Sequence, residues 1–429
     1  MKENLTILLL GNGGRESAIA WKLLQSPRLK HLYVAPGNGS PFGETVNLNI
    51  LDFEAIADFC QSREVDMIMV GPELPLVKGI ADYFADTPVK VIGPGHAGAM
   101  LEGSKEFAKE FMTRHAIPTA RFMTVTADTI DEGYSFLASL PGPYVLKADG
   151  LAAGKGVLIT ADIDEARSML ASMLGGLFGS ASATVVIEEF MTGVECSVFV
   201  ATDGEEYVML PAAKDYKRVG EGDTGLNTGG MGAVSPVPFA DSDFMDKVER
   251  RIVRPTLAGL KEEEIPYRGF LFIGLMNVDG DPMVVEYNVR LGDPETEVVV
   301  PRIASDMVDL LEGIADQTLA VKKVRVDERA AAAVMVVSEG YPGKYETGKP
   351  ISGLDKIDAE AVVFHAGTRR DADTGMVYTA GGRVLATMAF GADLRQAVGN
   401  ALEQARLVSF DGARFRADIG RDMLQMMSK

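Results

Sequence analysis

Along residues 1–100, short apolar runs alternate with amphipathic stretches, and each run stops at a glycine or proline turn. Residues 5–10, 32–35, 67–70 and 89–92 read as strands, and residues 16–24 read as a helix. The turns are Gly11-Asn12-Gly13-Gly14, Pro36-Gly37-Asn38-Gly39, Gly71-Pro72-Glu73 and Gly93-Pro94-Gly95. Strands alternating with helices predict a doubly wound parallel sheet, in which ligands bind outside the carboxyl ends of the strands. A helical stretch over 102–114 leads away from this unit. A compact segment of about 122–187 follows, and its 144–160 portion reads as strand, glycine-rich loop, strand. From 185 to 301 the pattern is strand-rich, with apolar runs at 185–187, 196–200, 270–276 and 284–290, and a helix follows around 305–314. Beyond residue 325 come a strand at 330–337, a Gly-Tyr-Pro-Gly turn at 340–343, strands at 362–364 and 382–388, and a closing helix over 394–407.

Composition narrows the class. The 429 residues are 47% apolar and 24% charged, as in ordinary globular chains, and suffice for two to four domains. A net charge of −19 argues against nucleic acid as a partner. Cys60 and Cys196 lie far apart, so neither a zinc site nor a disulfide framework is expected, and both read as small buried apolar residues. No apolar stretch approaches the ~20 residues of a membrane span, and a cytoplasmic location is expected.

Four segments carry candidate chemistry. Gly11, Asn12, Gly13, Gly14 and Glu16 lie between a strand and a helix, where backbone N–H groups at a helix N-terminus suit a phosphate. A dinucleotide fingerprint would need a third glycine where Glu16 stands, so that reading is disfavoured and an ordinary βα turn is the alternative. The stretch from Lys147 through Gly150, Gly154, Lys155 and Gly156 only superficially resembles a P-loop. Three residues separate Gly150 from Gly154, and Gly156 stands where Ser or Thr should bind Mg²⁺. It reads as a flap between antiparallel strands, with Lys147 and Lys155 supplying positive charge to a phosphoryl group, or else as a surface hairpin. In the 284–295 stretch, strand alternation places Glu286, Asn288 and Arg290 on one face and Val285, Tyr287 and Val289 towards the core. A carboxylate beside an amide oxygen suits Mg²⁺, and Arg290 can hold a carboxylate. A half-solvated strand is the alternative. Between these lies a charged loop, with Asp215 able to hold an ammonium and Lys217 or Arg218 an anion. A mobile solvent loop is equally compatible.

Together these segments resemble the glycinamide ribonucleotide synthetases of the ATP-grasp superfamily. The matching phrases are GNGGRE (11–16), GPELPLVKGI (71–80), LEGSKEFAKEFM (101–112), VLKADGLAAGKGV (145–157), VVIEEFMTGVE (185–195), DTGLNTGGMGA (223–233), EYNVRLGDPETE (286–297) and GYPGKYETG (340–348). The resemblance implies an α/β and α+β multidomain fold. Its expected parts are an N-terminal αβ domain at 1–103, a split ATP-grasp unit at 104–325 with its flap at about 122–187, and a β-rich C-terminal domain at 326–429. It also implies ATP-dependent joining of glycine to 5-phosphoribosylamine in purine biosynthesis, with Mg²⁺ or Mn²⁺, by a monomer or weak dimer. Carried over by position, Lys105, Lys147, Gly150, Lys155 and Gly156 attend the ATP phosphates. Glu188, Glu189 and Phe190 attend the adenine, and Glu195 the ribose. Glu286 and Asn288 hold the metal. Asp215, Arg290 and Asp293 surround glycine and its acyl phosphate. Gly11, Asn12, Gly13, Gly14, Glu16, Gly37, Asn38, Gly39, Gly71, Pro72 and Glu73 cradle phosphoribosylamine, with Lys217 and Arg218 as further substrate contacts. Residues of the N-terminal turns are expected to be physically separate from the ATP and glycine sites.

Three positions depart from the family phrases: Ser17 replaces the usual His, and Lys214 and Tyr216 replace the Gln and His of QDHKR. The strand upstream of Glu286 carries no second acid. Another ATP-grasp ligase or carboxylase, or a nucleotide-sensing module without catalysis, is the competing reading.

Overall fold

The strand Leu5–Gly11 is buried along its whole length because it is the middle of a sheet, paired in parallel with Leu29–Pro36 on one side and Met67–Val70 on the other. Glu44–Thr45 and Lys90–Ile92 complete this five-stranded sheet at its edges, both parallel to their neighbours. A central parallel strand has both faces covered, so its run is continuously apolar rather than alternating. The carboxyl ends of three strands thereby meet: Gly37 donates to the Gly11 carbonyl at 3.2 Å and Gly71 to the Leu10 carbonyl at 3.0 Å. The computed structural model describes residues 4–151, 156–179 and 183–428.

The single helix expected over 102–114 is two helices, His96–Gly103 and Lys105–Arg114. The break is Ser104, which is extended (φ −137°, ψ 120°) and caps the second helix by accepting the Phe107 N–H at 3.0 Å. An N-cap must have non-helical dihedrals, and the serine overrides the helical periodicity running through it. Its hydroxyl also donates to Asp149 at 3.0 Å, joining this corner to the flap.

The flap carries its own four-stranded antiparallel sheet, in the order Phe122–Thr126, Thr184–Glu189, Tyr144–Ala148, Val157–Thr160. Helices Ile130–Ser139 and Ile163–Leu174 cover it. Val125, Leu137, Leu146, Leu170 and Ile187 form a core separate from the main one.

The remaining strands build one large antiparallel sheet. Its order is Asp281–Asn288, Gly269–Val278, Val194–Thr202, Tyr207–Asp215, Gly232–Ser235, Ala330–Ser338, Arg383–Gly391, Ala361–His365, with Ala413–Arg414 pairing on Ala330–Ser338. The C-terminal β-strands are therefore continuous with those of the ATP-grasp portion, through the ladder between Gly232–Ser235 and Ala330–Ser338. Among the described residues no helix is long and apolar enough to cross a membrane.

Replacing Ser104 by Ala removes both the helix cap and the link to Asp149. The expected loss is about 1 kcal/mol, read as a lowered urea midpoint. An unchanged midpoint means that the chain break at Ser104 does not depend on the cap.

Candidate active site

The first glycine turn delivers its helix N-terminus to a carboxylate of the protein itself. Glu16 turns back on the turn that precedes it. Its Oε2 accepts the Gly13 N–H at 2.6 Å and its Oε1 accepts Arg15 Nε at 2.6 Å. Asp293 then accepts the Arg15 backbone N–H at 3.3 Å. These N–H groups therefore already have anionic partners, which corrects the expectation of a free phosphate cradle there. The chain at Gly14 passes so close to Glu297 that any side chain would collide with its carboxyl.

Asn38 ties the second turn to this one and to the C-terminal segment, its amide donating to the carbonyls of Asn12 (2.9 Å) and His365 (2.7 Å). Gly39 donates to Thr368 Oγ1 at 3.2 Å. Asn12 remains exposed, and Pro72 and Glu73 are half-buried at the third turn. Ser17, one of the departures, is buried and receives the His365 N–H at 3.0 Å. Burial, with Arg370 nearby, pushes the His365 imidazole down to about 4, so it is neutral at pH 7.

Asp293 joins both ends of the chain. Its Oδ1 lies 2.8 Å from Arg383 Nη2, and Arg383 Nη1 donates to the Gly229 carbonyl at 2.7 Å. Burial opposes the charge on Asp293, but Arg383 and Arg15 together hold its carboxyl below the usual range. Glu297 is the reverse case. It is 0% exposed, and neither carboxyl oxygen has a hydrogen-bond partner among the described residues. Burial and the nearby Asp293 push it well up, which keeps it protonated.

Arg290 corrects the expected strand face. The strand ends at Asn288, and Arg290 turns to Glu102 (2.7 Å) and Glu73 (3.5 Å). Glu102 also accepts the Val289 N–H at 2.8 Å, and burial raises it to about 7 despite the arginine. Glu73, in an N-domain turn, and Arg290, just after the strand Asp281–Asn288, thus touch directly. The segments expected to serve the two substrates separately are contiguous here.

The alternation upstream also differs from expectation. Leu275 pairs with Val284 and Gly274 with Glu286, so Val285 is an extra, bulged residue. Val284, Tyr287 and Val289 are buried, whereas Val285 is half-buried beside Glu286. Glu286 and Asn288 do share a side, flanking the buried Tyr287, whose hydroxyl meets Thr256 Oγ1 at 2.7 Å. Among the described residues neither Glu286 nor Asn288 uses its side chain in a hydrogen bond or ion pair, and no cluster of three metal-ligating side chains occurs. Two free hard oxygens fit a cation that takes its other ligands from phosphates and water.

Across from this strand lies the flap lysine. Lys147 is buried, 2.8 Å from Glu188 Oε1, and donates to the Val285 carbonyl at 3.4 Å. Lys109 reaches the other oxygen of Glu188 at 3.0 Å. Burial opposes ionisation of Glu188, but the two ammonium groups hold it below its ordinary value. Its carboxylate is therefore occupied by lysines, and the Glu189 N–H next to it donates to the Arg121 carbonyl at 2.8 Å. Phe190 itself is exposed just after the strand. Lys105 Nζ donates to the carbonyls of Ala148 (2.8 Å) and Gly150 (3.3 Å), at the base of the flap turn. The Ala148 N–H donates to the Gly156 carbonyl at 2.8 Å, closing that turn from the other side. Lys155 lies outside the described residues.

Glu195 pairs with Lys217 at 2.7 Å, and both line a small cavity with Ser197, Asp215 and Glu286. Burial raises the Asp215 carboxyl, against the pull of Lys217. Glu295, behind it and bonded to Ser197 Oγ at 3.2 Å, is raised to about 7 by burial and Asp215. Arg218 donates to the Gly225 carbonyl at 2.9 Å and so braces its own hairpin. Lys214 and Tyr216 turn away from the cavity towards Asp422.

Sequence reasoning missed Lys109, Glu102, Arg15, Arg383, Glu295 and Glu297. Lys109 and Glu102 sit on helices that read as ordinary charged surface. Arg383 is separated from its partner Asp293 by ninety positions, and nothing local marks it. Arg15, Glu295 and Glu297 lay inside quoted phrases, yet only the fold reveals that they are buried.

Comparison with known proteins agrees along the chain. Family models match as phosphoribosylglycinamide synthetase N domain over residues 5–102, ATP-grasp (A) domain over 103–296 and C domain over 331–422. The phosphoribosylamine–glycine ligase of Vibrio parahaemolyticus is 41% identical over 423 residues, covering 97% of this chain and 98% of that protein. The same-named ligase of Escherichia coli K12 is 43% identical with the same coverage. The crystal structure of phosphoribosylamine–glycine ligase from Thermotoga maritima superposes with a TM-score of 0.83 at 36% identity, covering 96% of this chain and all of that one. A biotin carboxylase from Campylobacter jejuni, in complex with an ATP analogue, shares the fold at a TM-score of 0.71 and 14% identity, covering 99% of this chain and 95% of that one.

Glu297 provides a test of the buried charge pattern. The unfolded chain ionises this residue near its ordinary 4.5, whereas the folded one keeps the proton. Folding stability therefore falls as pH rises above that value. Glu297→Gln removes the proton uptake, so the variant's stability is expected to fall less than the wild type's as pH rises above the ordinary carboxylate range. Chemical denaturation across pH reads the difference, and a variant whose stability falls as steeply as the wild type's contradicts a protonated Glu297.

Proposed function

The chain belongs to the phosphoribosylglycinamide synthetase family, and from that premise we propose how its residues divide the work of one reaction. The reaction joins glycine to 5-phosphoribosylamine and yields glycinamide ribonucleotide, ADP and phosphate from ATP. It is a step of purine biosynthesis. The observation that carries the assignment of roles is the Lys147–Val285 contact, which brings the flap lysine to the residue next to Glu286.

A carboxylate is a poor acyl donor because its leaving group would be oxide. In the first step an oxygen of the glycine carboxylate forms a bond to the γ-phosphorus of ATP. The bond from that phosphorus to the β,γ-bridging oxygen breaks, and ADP leaves. In the second step the amine of phosphoribosylamine attacks the carbonyl carbon of glycyl phosphate. Phosphate departs, and the nitrogen gives up a proton. Lys147 and Lys105 place positive charge where negative charge moves between phosphate oxygens. Lys109, acting through Glu188, holds Lys147 in place. Glu286 and Asn288 would hold a divalent cation, Mg²⁺ or Mn²⁺, which supplies further charge neutralisation on the phosphates. Asp215 receives the glycine ammonium, and Glu195 and the Glu189–Phe190 backbone receive the nucleoside. Gly150, Gly156 and the rest of the flap exclude water from the acyl phosphate.

The N-terminal turns bind phosphoribosylamine through the side chains of Asn12 and Glu73, while Gly13, Gly37, Asn38 and Gly71 shape the turns by bonding within the protein. Arg290, touching Glu73 and Glu102, lies where the amine and the acyl phosphate must meet. Asp293 keeps the first turn in register rather than acting as a base, because two arginines lower its affinity for a proton and its oxygens already have partners.

The function is tested by ADP release from purified protein with MgATP. Release is expected only when glycine and phosphoribosylamine are both present, and glycine-independent release points to a different ATP-grasp ligase. Lys147→Met is expected to lower kcat by about 10²–10³. A loss below threefold removes Lys147 from the phosphoryl-transfer site. Glu286→Ala is expected to abolish Mn²⁺ binding measured by electron paramagnetic resonance in the presence of ADP, with the circular dichroism spectrum unchanged. Wild-type Mn²⁺ affinity in that variant contradicts the metal assignment.

A further inference from the structure

The strand Tyr207–Asp215 and the two residues after it present opposite chemistry on their two sides. Asp215 and Lys217 point into the cavity shared with Glu195 and Glu286. Lys214 and Tyr216 point the other way, to the last turns of the chain. Tyr216 donates its hydroxyl to Asp422 Oδ1 at 2.6 Å, and Lys214 Nζ lies 3.5 Å from Asp422 Oδ2. The Lys214 ammonium also lies over the Tyr216 ring, 4.7 Å from its centroid, so the three groups form one cluster. These are two of the positions at which the chain departs from the family phrase.

The hairpin beyond, Arg218–Gly220 with Thr224–Asn227, is held by the same C-terminal segment. Arg416 Nη1 donates to the Arg218 carbonyl at 2.9 Å and to Asp223 Oδ1 at 2.8 Å. Gly222 donates to Asp418 Oδ2 at 2.7 Å, and Ala417 donates to Glu221 Oε1 at 3.1 Å. The hairpin is otherwise open to solvent, with Leu226 65% exposed. Its base is in turn locked to the glycine loop that packs on Asp293 and Arg383, through Thr228 N–H to the Lys217 carbonyl at 2.7 Å.

We propose that Asp422 is a positioning residue for the glycine site: through Tyr216 and Lys214 it fixes the backbone that presents Asp215 and Lys217 to the substrate. This rests on the assignment of Asp215 to the glycine ammonium. With the side chains on both sides of Asp215 held, the backbone there cannot turn the carboxylate out of the cavity without breaking the part-buried Tyr216–Asp422 hydrogen bond. The Lys214 and Tyr216 substitutions therefore act on the rear of the site and leave its ligand-facing groups in place.

The experiment compares steady-state kinetics of Asp422→Ala, Asp422→Asn and Tyr216→Phe with the wild type, varying each substrate in turn. Asp422→Ala is expected to raise KM for glycine by about fivefold or more, the scale of losing one contact in a coupled network, while KM for ATP changes by less than about twofold. Asp422→Asn retains an oxygen that accepts from Tyr216 and is expected to recover most of the wild-type glycine KM. Tyr216→Phe should resemble Asp422→Ala. Equal rises in every KM, or a glycine KM within twofold of wild type in both Asp422→Ala and Tyr216→Phe, overturns the proposal. Should Asp422→Ala fail to fold, Tyr216→Phe with Asp422→Asn decides it alone. Asp215→Ala separates the underlying assignment: if it leaves glycine KM unchanged, the glycine site is misplaced, whereas a large effect there with none in the Asp422 and Tyr216 variants rejects the positioning role only.

Discussion

Asp293 is half-buried between Arg15 and Arg383, and most of the site's geometry depends on that carboxylate keeping its charge. An ionised group largely withdrawn from water needs opposite charge and hydrogen-bond donors around it. Here they come from the first helix of the chain and from a strand about ninety residues downstream of Asp293. The aspartate thereby fixes the first glycine turn against the end of the strand Asp281–Asn288. Arg383 extends the hold to the Gly229 carbonyl, so the glycine loop after the charged hairpin joins the same assembly. Removing any one of these partners leaves a buried charge, which is why the arrangement behaves as a unit rather than as a sum of pairs.

A second shared charge organises the nucleotide side. Glu188 lies between Lys109 and Lys147, the first on a helix ahead of the flap and the second on a flap strand. Burial lowers Lys109 to about 8 in spite of the glutamate, so this lysine is only weakly held in its charged form. The carboxylate is common to both lysines, and its position therefore decides how the flap lysine faces the Val285 carbonyl. The flap has a core of its own, so this ionic junction is one of the few ties between it and the strand bearing Glu286.

Much of this was legible in the chain because the relevant signals are local. The N-terminal strands are continuous apolar runs bounded by glycine turns, and the flap is a glycine-rich loop between two β-rich runs. What failed depends on tertiary context. The bulge at Val285 arises from pairing with Gly274 and Leu275, and a single extra residue reverses the facing of those upstream of it. The break at Ser104 sits inside an unbroken helical period. Glu297 and Glu102 are indistinguishable in sequence from surface glutamates, since the upward shift of a carboxyl follows only once the fold has removed its water. The turn that looked like a phosphate cradle was correctly placed, yet its helix end is faced by a residue nearly three hundred positions away.

The continuity of the large sheet has a consequence for synthesis on the ribosome. Gly232–Ser235 is an interior strand only because Ala330–Ser338 pairs with it, and that partner is made roughly a hundred residues later. Until it emerges, the nascent chain presents an unsatisfied β-edge beside an apolar surface, the kind of edge that recruits strands from neighbouring molecules. Ala413–Arg414, which also pairs on Ala330–Ser338, is made later still.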